Sequence, residues 1–405
     1  MLSFDFRMPT TLLFGPGRLA ELETTPLLPA GKKALILIGQ SGNILRQGYL
    51  GRVQGLLSAR GVKSAVFDGV RANPRVEDVD AAAKQARNMG ADFLVAIGGG
   101  SVIDSGKCAS LAATGEAPFW EAMSAGVYGP NVKGLPLVAI STTSGTGTEA
   151  NGVAVQCCPP GKRGFVHPAF YPSLSIIDPQ LTVSVPPRMT AITGMDAFFH
   201  AVECFLSTAR QPMSDMLCLD AAHLVTRFLP QAVEHGDDIS ARTALAWAST
   251  AAGMSLSLSS PISQHGMEYS FSGSNPDSQH GAGLVLLSRP YFARFIALAQ
   301  KHNEDAADRM LNLAVAMGFG AEEDEEDGGH PFMQGLQALL EAVGLADMTP
   351  GEMGFDAAHL DDYVAAAMQL TGSRQFLNTP VPMAETDVRA IFEGVFEDEL
   401  NKLRK

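Results

Sequence analysis

Between residues 33 and 140, short apolar runs alternate with segments of helical periodicity, and this alternation restricts the first part of the chain to very few folds. Residues 33–38, 64–67, 92–97 and 136–140 read as buried strands. Residues 45–59, 76–89 and 101–113 carry apolar positions three and four apart between Gly or Pro boundaries, so they read as helices. A parallel strand pair needs a right-handed crossover helix, so the pattern predicts a parallel sheet covered on both faces. After residues 174–178 the texture changes. From about Pro187 the β-branched clusters thin out and Ala, Leu and Met recur at helical spacing. The expectation is an α/β domain over 1–186 and a helical domain over 187–405, joined by the turn-rich segment 178–187.

Composition narrows the partners. Apolar residues make up 46% of the 405 and charged residues 18%, which fits a compact globule. With 43 acidic against 29 basic residues the net charge is −14, so neither nucleic acid nor an anionic membrane surface is expected as a partner. The longest stretch without Asp, Glu, Lys or Arg, 243–267, is rich in Ala, Ser and Thr and contains Pro261; it reads as a packed internal helix and not a membrane span. The first residues lack the marks of a signal peptide, and five cysteines without a CxxC pair fit a reducing compartment. A cytoplasmic location is expected. Adjacent Cys157 and Cys158 read as ordinary packed or loop thiols, and the acidic run 322–327 as a solvated loop.

The strand 92–97 runs straight into Gly98-Gly99-Gly100-Ser101, where a helix begins. Absent side chains let backbone N–H groups and the positive helix end face an anion closely, as a diphosphate requires. The run matches neither GxGxxG nor the P-loop. Its place at the carboxyl end of a parallel strand, where such sheets bind ligands, raises its weight above a plain tight turn. Asp104 and Lys107 lie near one face of that helix, within reach of the same ligand. After the strand 136–140 comes Ser141-Thr-Thr-Ser-Gly-Thr-Gly-Thr-Glu149, whose small hydroxyls suit a sugar or diphosphate.

The most specific feature is Asp196 and His200 in a predicted helix: a spacing of four puts both on one face, able to reach one cation. His265 and His280 each stand in a Gln-His-Gly tripeptide, fifteen residues apart, and a following glycine lets backbone crowd a site. Alone, the Asp–His pair is commonly a surface helix pair; the repeated tripeptide favours a ligand set. Three imidazoles and a carboxylate suit Fe²⁺ or Zn²⁺ better than Mg²⁺ or Ca²⁺.

With these residues placed, the chain resembles the iron-containing (group III) alcohol dehydrogenase family over nearly its whole length. The matches are Phe14-Gly-Pro-Gly17, Asn73-Pro74, Gly98-Gly-Gly-Ser-Val-Ile-Asp104 with Lys107, Thr142-Thr-Ser-Gly-Thr-Gly-Thr-Glu149, Asp178-Pro-Gln-Leu-Thr182, Thr193-Gly-Met-Asp-Ala-Phe-Phe-His-Ala-Val-Glu203 and the two His-Gly pairs. The resemblance implies an N-terminal α/β dinucleotide-binding domain and an all-α metal-binding domain, the fold shared with dehydroquinate synthase, with the active site in the cleft between them. It implies a divalent metal, Fe²⁺ first and Zn²⁺ second, on Asp196, His200, His265 and His280. Contacts to NAD(P) are implied at Gly39, Asn73, Gly98, Gly99, Gly100, Ser101, Asp104, Thr142, Thr143, Thr146 and Lys162. The implied reaction passes hydride between a small-molecule alcohol or aldehyde and the nicotinamide, in a homodimer or larger homo-oligomer.

Two departures matter. Many relatives carry a second histidine four residues after the third ligand; this chain has Tyr269, a phenol that can pass a proton but titrates near 10 in water. Relatives preferring NAD often carry an aspartate after the first strand; here Ile38-Gly39-Gln40-Ser41-Gly42 has no acid, so NADP acceptance is expected. The competing readings are a metal-dependent lyase or hydrolase on the same fold, dehydroquinate synthase-like, and a nucleotide-binding protein without turnover. Phe198, Trp247, Phe271 and Phe376 are candidates for the substrate wall.

Overall fold

A computed structural model describes residues 3–159, 161–275, 278–320 and 329–403. The acidic run 322–327 lies outside the described residues. The chain forms two compact units, one of Arg7–Val185 with Gly236–Ser257, the other of Met1–Phe6, Pro186–His235 and Leu258–Lys405.

The first unit is built on six strands: β1 (Thr11–Phe14), β2 (Lys33–Gly39), β3 (Lys63–Val70), β4 (Phe93–Gly98), β5 (Leu137–Ser141) and, after a hairpin of β6 (Val153–Cys158) and β7 (Gly161–Val166), β8 (Leu174–Ile177). The order is β1-β8-β5-β4-β2-β3, and every neighbouring pair is parallel. Because side chains alternate across a sheet, β2 feeds two cores. Leu35 and Leu37 pack with Val79, Ala82 and Ile103 on one face. Ala34, Ile36 and Ile38 pack with Val53, Leu57 and Ile97 on the other. Burial on both faces is why these strands read as continuous apolar runs. The chain runs outward from β2 to β3 and returns to β4 on the other side of β2, so a topological switch point lies between β2 and β4.

Local differences have local causes. The expected helix 45–59 is two pieces, Asn43–Arg46 and Tyr49–Ala59, parted at Gly48 with φ 73°. Strand β1 is four residues long, and Lys162 and Arg163 mask the alternation of β7, so neither stood out in the sequence. The stretch 243–267 is not one helix: Ile239–Leu258 and Ser263–Ser274 are separated around Pro261.

The Ile239–Leu258 helix groups with the sheet unit, not with the helices that flank it in sequence. Its small residues have a steric cause. A Cβ on Gly253 would stand 2.0 Å from the Gly147 carbonyl oxygen, and one on Gly147, at φ +57°, 2.1 Å from that of Ser249. The two backbones touch, and hydrogen bonds join them: Gly145 N–H donates to Ser249 Oγ at 2.8 Å and the Thr250 hydroxyl to Glu149 Oε1 at 2.9 Å.

The second unit is helical, with Pro187–Leu206, Pro212–Glu234, Ser263–Ser274 and His280–His302 as its main helices near the candidate site. Phe198 and Phe292 both pack on Phe332, and Phe271 lies among Phe355, Tyr363 and Phe392. His280–His302 is long and apolar enough to cross a membrane by length and composition, but Leu284, Leu287, Phe292 and Phe295 on it are buried within the protein.

Gly147→Ala and Gly253→Ala each force two backbones apart, and each is expected to destabilise the protein by about 3 kcal/mol or more. Urea unfolding checks this; a loss below about 1 kcal/mol would contradict the packing described.

Candidate active site

The Pro187–Leu206 helix is buried along most of its length, and it carries Asp196 and His200 one turn apart with His200 Nδ1 3.5 Å from Asp196 Oδ1. Two other helices start beside it. His265 lies in the first turn of Ser263–Ser274 and His280 opens His280–His302; the Nε2 of each is 3.8 Å from the same Asp196 Oδ1. His265 therefore begins a helix and does not end the small-residue one. Ligand atoms of Asp196, His265 and His280 all lie within 4.8 Å of one another, and the His200 ring is 4.4 Å from that of His265.

The glycines of the two tripeptides make this convergence possible. A Cβ on Gly266 would meet the Phe376 ring at 2.7 Å, and one on Gly281 the Ile192 carbonyl oxygen at 2.4 Å. Of the expected wall residues, Phe198 and Phe271 are fully buried in the core, Phe376 covers Gly266, and Trp247 packs edge-on to Phe14 in the sheet unit.

Asp196 Oδ1 and His265 Nε2 are buried without a hydrogen-bond partner. Separations of 3.5 to 3.8 Å are too long for hydrogen bonds but suit donors that share an ion at about 2.0–2.2 Å from each. The donor set therefore fits a divalent cation of the Fe²⁺ or Zn²⁺ kind. Burial alone would raise the Asp196 pKa, but the surrounding imidazoles of His200, His265 and His280 hold it well below the usual carboxylate range. Burial would likewise depress His265, yet Glu203 and Asp196 more than offset this and lift it to about 10. Without a cation His265 holds a proton instead.

Two residues that sequence reasoning assigned no role complete the cluster. Glu203 Oε1 pairs with His265 Nδ1, and Glu268 Oε2 with His280 Nδ1; both glutamates are fully buried. An imidazole that donates from Nδ1 presents the Nε2 lone pair to the site. The available signal was spacing: Glu203 lies three residues after His200 and Glu268 three after His265. Tyr269 is adjacent, its ring 5.9 Å from that of His280.

In the sheet unit the glycine run sits at the carboxyl end of β4, with Gly99 capping the Gly100–Ala112 helix. A Cβ on Gly99 would lie 2.9 Å from Thr143 Oγ1 and one on Gly100 2.5 Å from Thr146, while one on Gly98 would strike Val102 at 2.6 Å. The glycines thus bring the hydroxyl-rich segment against the helix start as well as leaving its amides open. Gly99, Gly100, Ser101, Thr143 and Thr146 are partly exposed there, and the Ser101 hydroxyl donates to the Ala72 carbonyl beside Asn73. The Thr142 N–H donates to Gly98 O at 3.1 Å, and Gly39 ends β2 across the switch point.

Asp104 and Lys107 turn inward. Asp104 accepts from Thr148 Oγ1 at 2.5 Å and from the Val155 N–H at 2.8 Å; burial raises its pKa, with Lys107 and Lys162 opposing. Lys107, expected to reach the ligand, is fully buried and spends its three N–H donors on Thr148 Oγ1 at 2.6 Å, Asn151 Oδ1 at 3.0 Å and Val153 O at 2.6 Å. It ties the helix to β6. Lys162 is buried on β7 opposite Cys157.

Comparison with known proteins defines the class. The family described as "Iron-containing alcohol dehydrogenase" matches residues 9–179, and "Fe-containing alcohol dehydrogenase family, C-terminal" matches residues 190–396. The 1,3-propanediol dehydrogenase of Citrobacter freundii is 34% identical over 97% of this chain and 99% of its own length. Long-chain-alcohol dehydrogenase 1 of Geobacillus thermodenitrificans is 31% identical over 89% of each. Among solved structures, an archaeal halo-thermophilic alcohol dehydrogenase from a Red Sea brine pool superposes with a TM-score of 0.86 at 30% identity, over 98% of this chain and 100% of that one. The protein is an oxidoreductase of the alcohol dehydrogenase class. It belongs to the iron-containing alcohol dehydrogenase family. The lyase or hydrolase alternative finds no support among these relatives.

Burial pushes Lys107 from 10.5 down to about 8. Between these two values the unfolded chain holds a proton that the folded chain has lost, so Lys107 makes stability rise with pH across that window. Denaturant melts at successive pH values should give Lys107→Met a lower stability-against-pH slope than wild type between about pH 8 and 10.5, the opposing contribution of His265 being common to both; an unchanged slope in the variant would contradict the buried amine.

Proposed function

We propose that Asp196, His200, His265 and His280 hold one divalent cation, Fe²⁺ first and Zn²⁺ second, and that the protein uses NAD(P) to interconvert a small-molecule alcohol and its aldehyde. The observation that carries this reading is the buried convergence of Asp196 Oδ1 with the Nε2 atoms of His265 and His280. A cation held by these four side chains would supply Lewis acidity toward an alcohol or carbonyl oxygen, and a nicotinamide bound at the strand ends would supply the hydride acceptor or donor. One carboxylate and three neutral imidazoles leave a divalent ion with net positive charge, so these ligands keep it electrophilic. Tyr269, beside His280, is positioned to pass a proton at its hydroxyl.

Gly99, Gly100 and Ser101, at the start of a thirteen-residue helix, offer amides and the positive helix end to a diphosphate. Gly39, Asn73, Gly98, Thr142, Thr143 and Thr146 stand near the same strand ends, and Asp104, which accepts from Thr148 and the Val155 N–H, braces the hydroxyl-rich segment; Asp104 and Lys162 are the further contacts on the nicotinamide side. The segment after β2 carries no acid to repel a 2′-phosphate, and exposed Arg46, bonded to Ser41 O at 2.9 Å, adds a cation. NADP is therefore accepted. The protein works in the cytoplasm as a homodimer or larger homo-oligomer.

His265→Ala and His280→Ala should each lower bound metal and cut kcat/KM for aldehyde reduction by more than about 100-fold. Elemental analysis and absorbance at 340 nm, the latter a standard assay wavelength of reduced nicotinamide, check this. In the same assay kcat/KM with NADPH should at least equal that with NADH; a large NADH advantage would refute the cofactor assignment.

A further inference from the structure

His280 is the most exposed of the four clustered side chains at 23%, against 9% for His200, 6% for Asp196 and 2% for His265. It is also the first residue of its helix, so no preceding helical turn holds its ring. Another helix supplies the restraint. Glu268, three residues after His265, pairs through Oε2 with His280 Nδ1, and the same oxygen accepts the Ser272 hydroxyl at 3.2 Å. The carboxylate arm crosses the His280–His302 helix at Gly283, where a Cβ would lie 2.9 Å from Glu268 Cγ and 3.0 Å from its Oε1. Any side chain at 283 would occupy the path of Glu268.

We propose that Glu268 is a positioning residue which locks His280 with Nε2 aimed at Asp196, and that residue 283 is glycine to admit it. The proposal rests on the metal reading above. Glu203 restrains His265 similarly but also accepts the Ile262 N–H at 2.8 Å, so its removal disturbs the helix start as well. Glu268 is the cleaner test. It holds the most exposed of the four side chains, so its loss lowers the affinity of the site for metal rather than abolishing the fold.

The test is competition titration of Co²⁺ and Zn²⁺ into the metal-free full chain against a chromophoric chelator, with the visible Co²⁺ spectrum recorded. Glu268→Ala should weaken binding by about 10- to 100-fold and alter the Co²⁺ bands. Glu268→Gln, which keeps an oxygen to accept the Nδ1–H, should recover most of that loss. Gly283→Ala should weaken binding in the wild-type background and add nothing in the Glu268→Ala background, because the clash has no partner there. Near-UV circular dichroism checks folding, and if Glu268→Ala does not fold, the Gln and Gly283→Ala titrations decide. Glu268→Ala binding within about twofold of wild type would overturn the proposal alone. A wild-type chain that takes up no stoichiometric cation would overturn the metal reading, and this inference with it.

Discussion

A carboxylate oxygen buried without a hydrogen bond is costly, and Asp196 Oδ1 is such an atom, faced by three imidazoles at 3.5 to 3.8 Å. Protons or a cation must compensate it. The elements around it converge on this atom: a long buried helix carries two of the four side chains, and two helix starts deliver the others. Glu203 and Glu268 fix which nitrogen of His265 and His280 each ring presents.

Absent side chains achieve most of the precision. Gly266 and Gly281 let Phe376 and the Ile192 carbonyl close on the ligand helices, and Gly283 opens a path for Glu268. In the sheet unit Gly99 and Gly100 admit Thr143 and Thr146, while Gly147 and Gly253 join the hydroxyl-rich segment to the Ile239–Leu258 helix. Each is a close approach that a single methyl group would block.

What could be read from the sequence was local. Strands β2, β4 and β5 and the Val76–Met89 helix announce themselves by periodicity, and the Asp196–His200 pair by its spacing on one helix. The Gln-His-Gly repeat marked two ligand candidates from two separate helix starts. What could not be read was decided through space. Glu203 and His265 are 62 residues apart, so no window joins them. The side on which Lys107 leaves its helix depends on Asn151 and Val153, and the allegiance of the Ile239–Leu258 helix on contacts with residues 145–151 about a hundred positions earlier. Periodicity marks that a helix has a buried face; it does not say against which unit.

The central claim is that one cation bridges four named side chains. Anomalous diffraction at the iron edge, from crystals of anaerobically loaded protein, tests it most directly. The account predicts a single strong peak at about 2.0–2.2 Å from Asp196 and from nitrogens of His200, His265 and His280. A peak elsewhere, or none in protein shown by elemental analysis to contain iron, would contradict it.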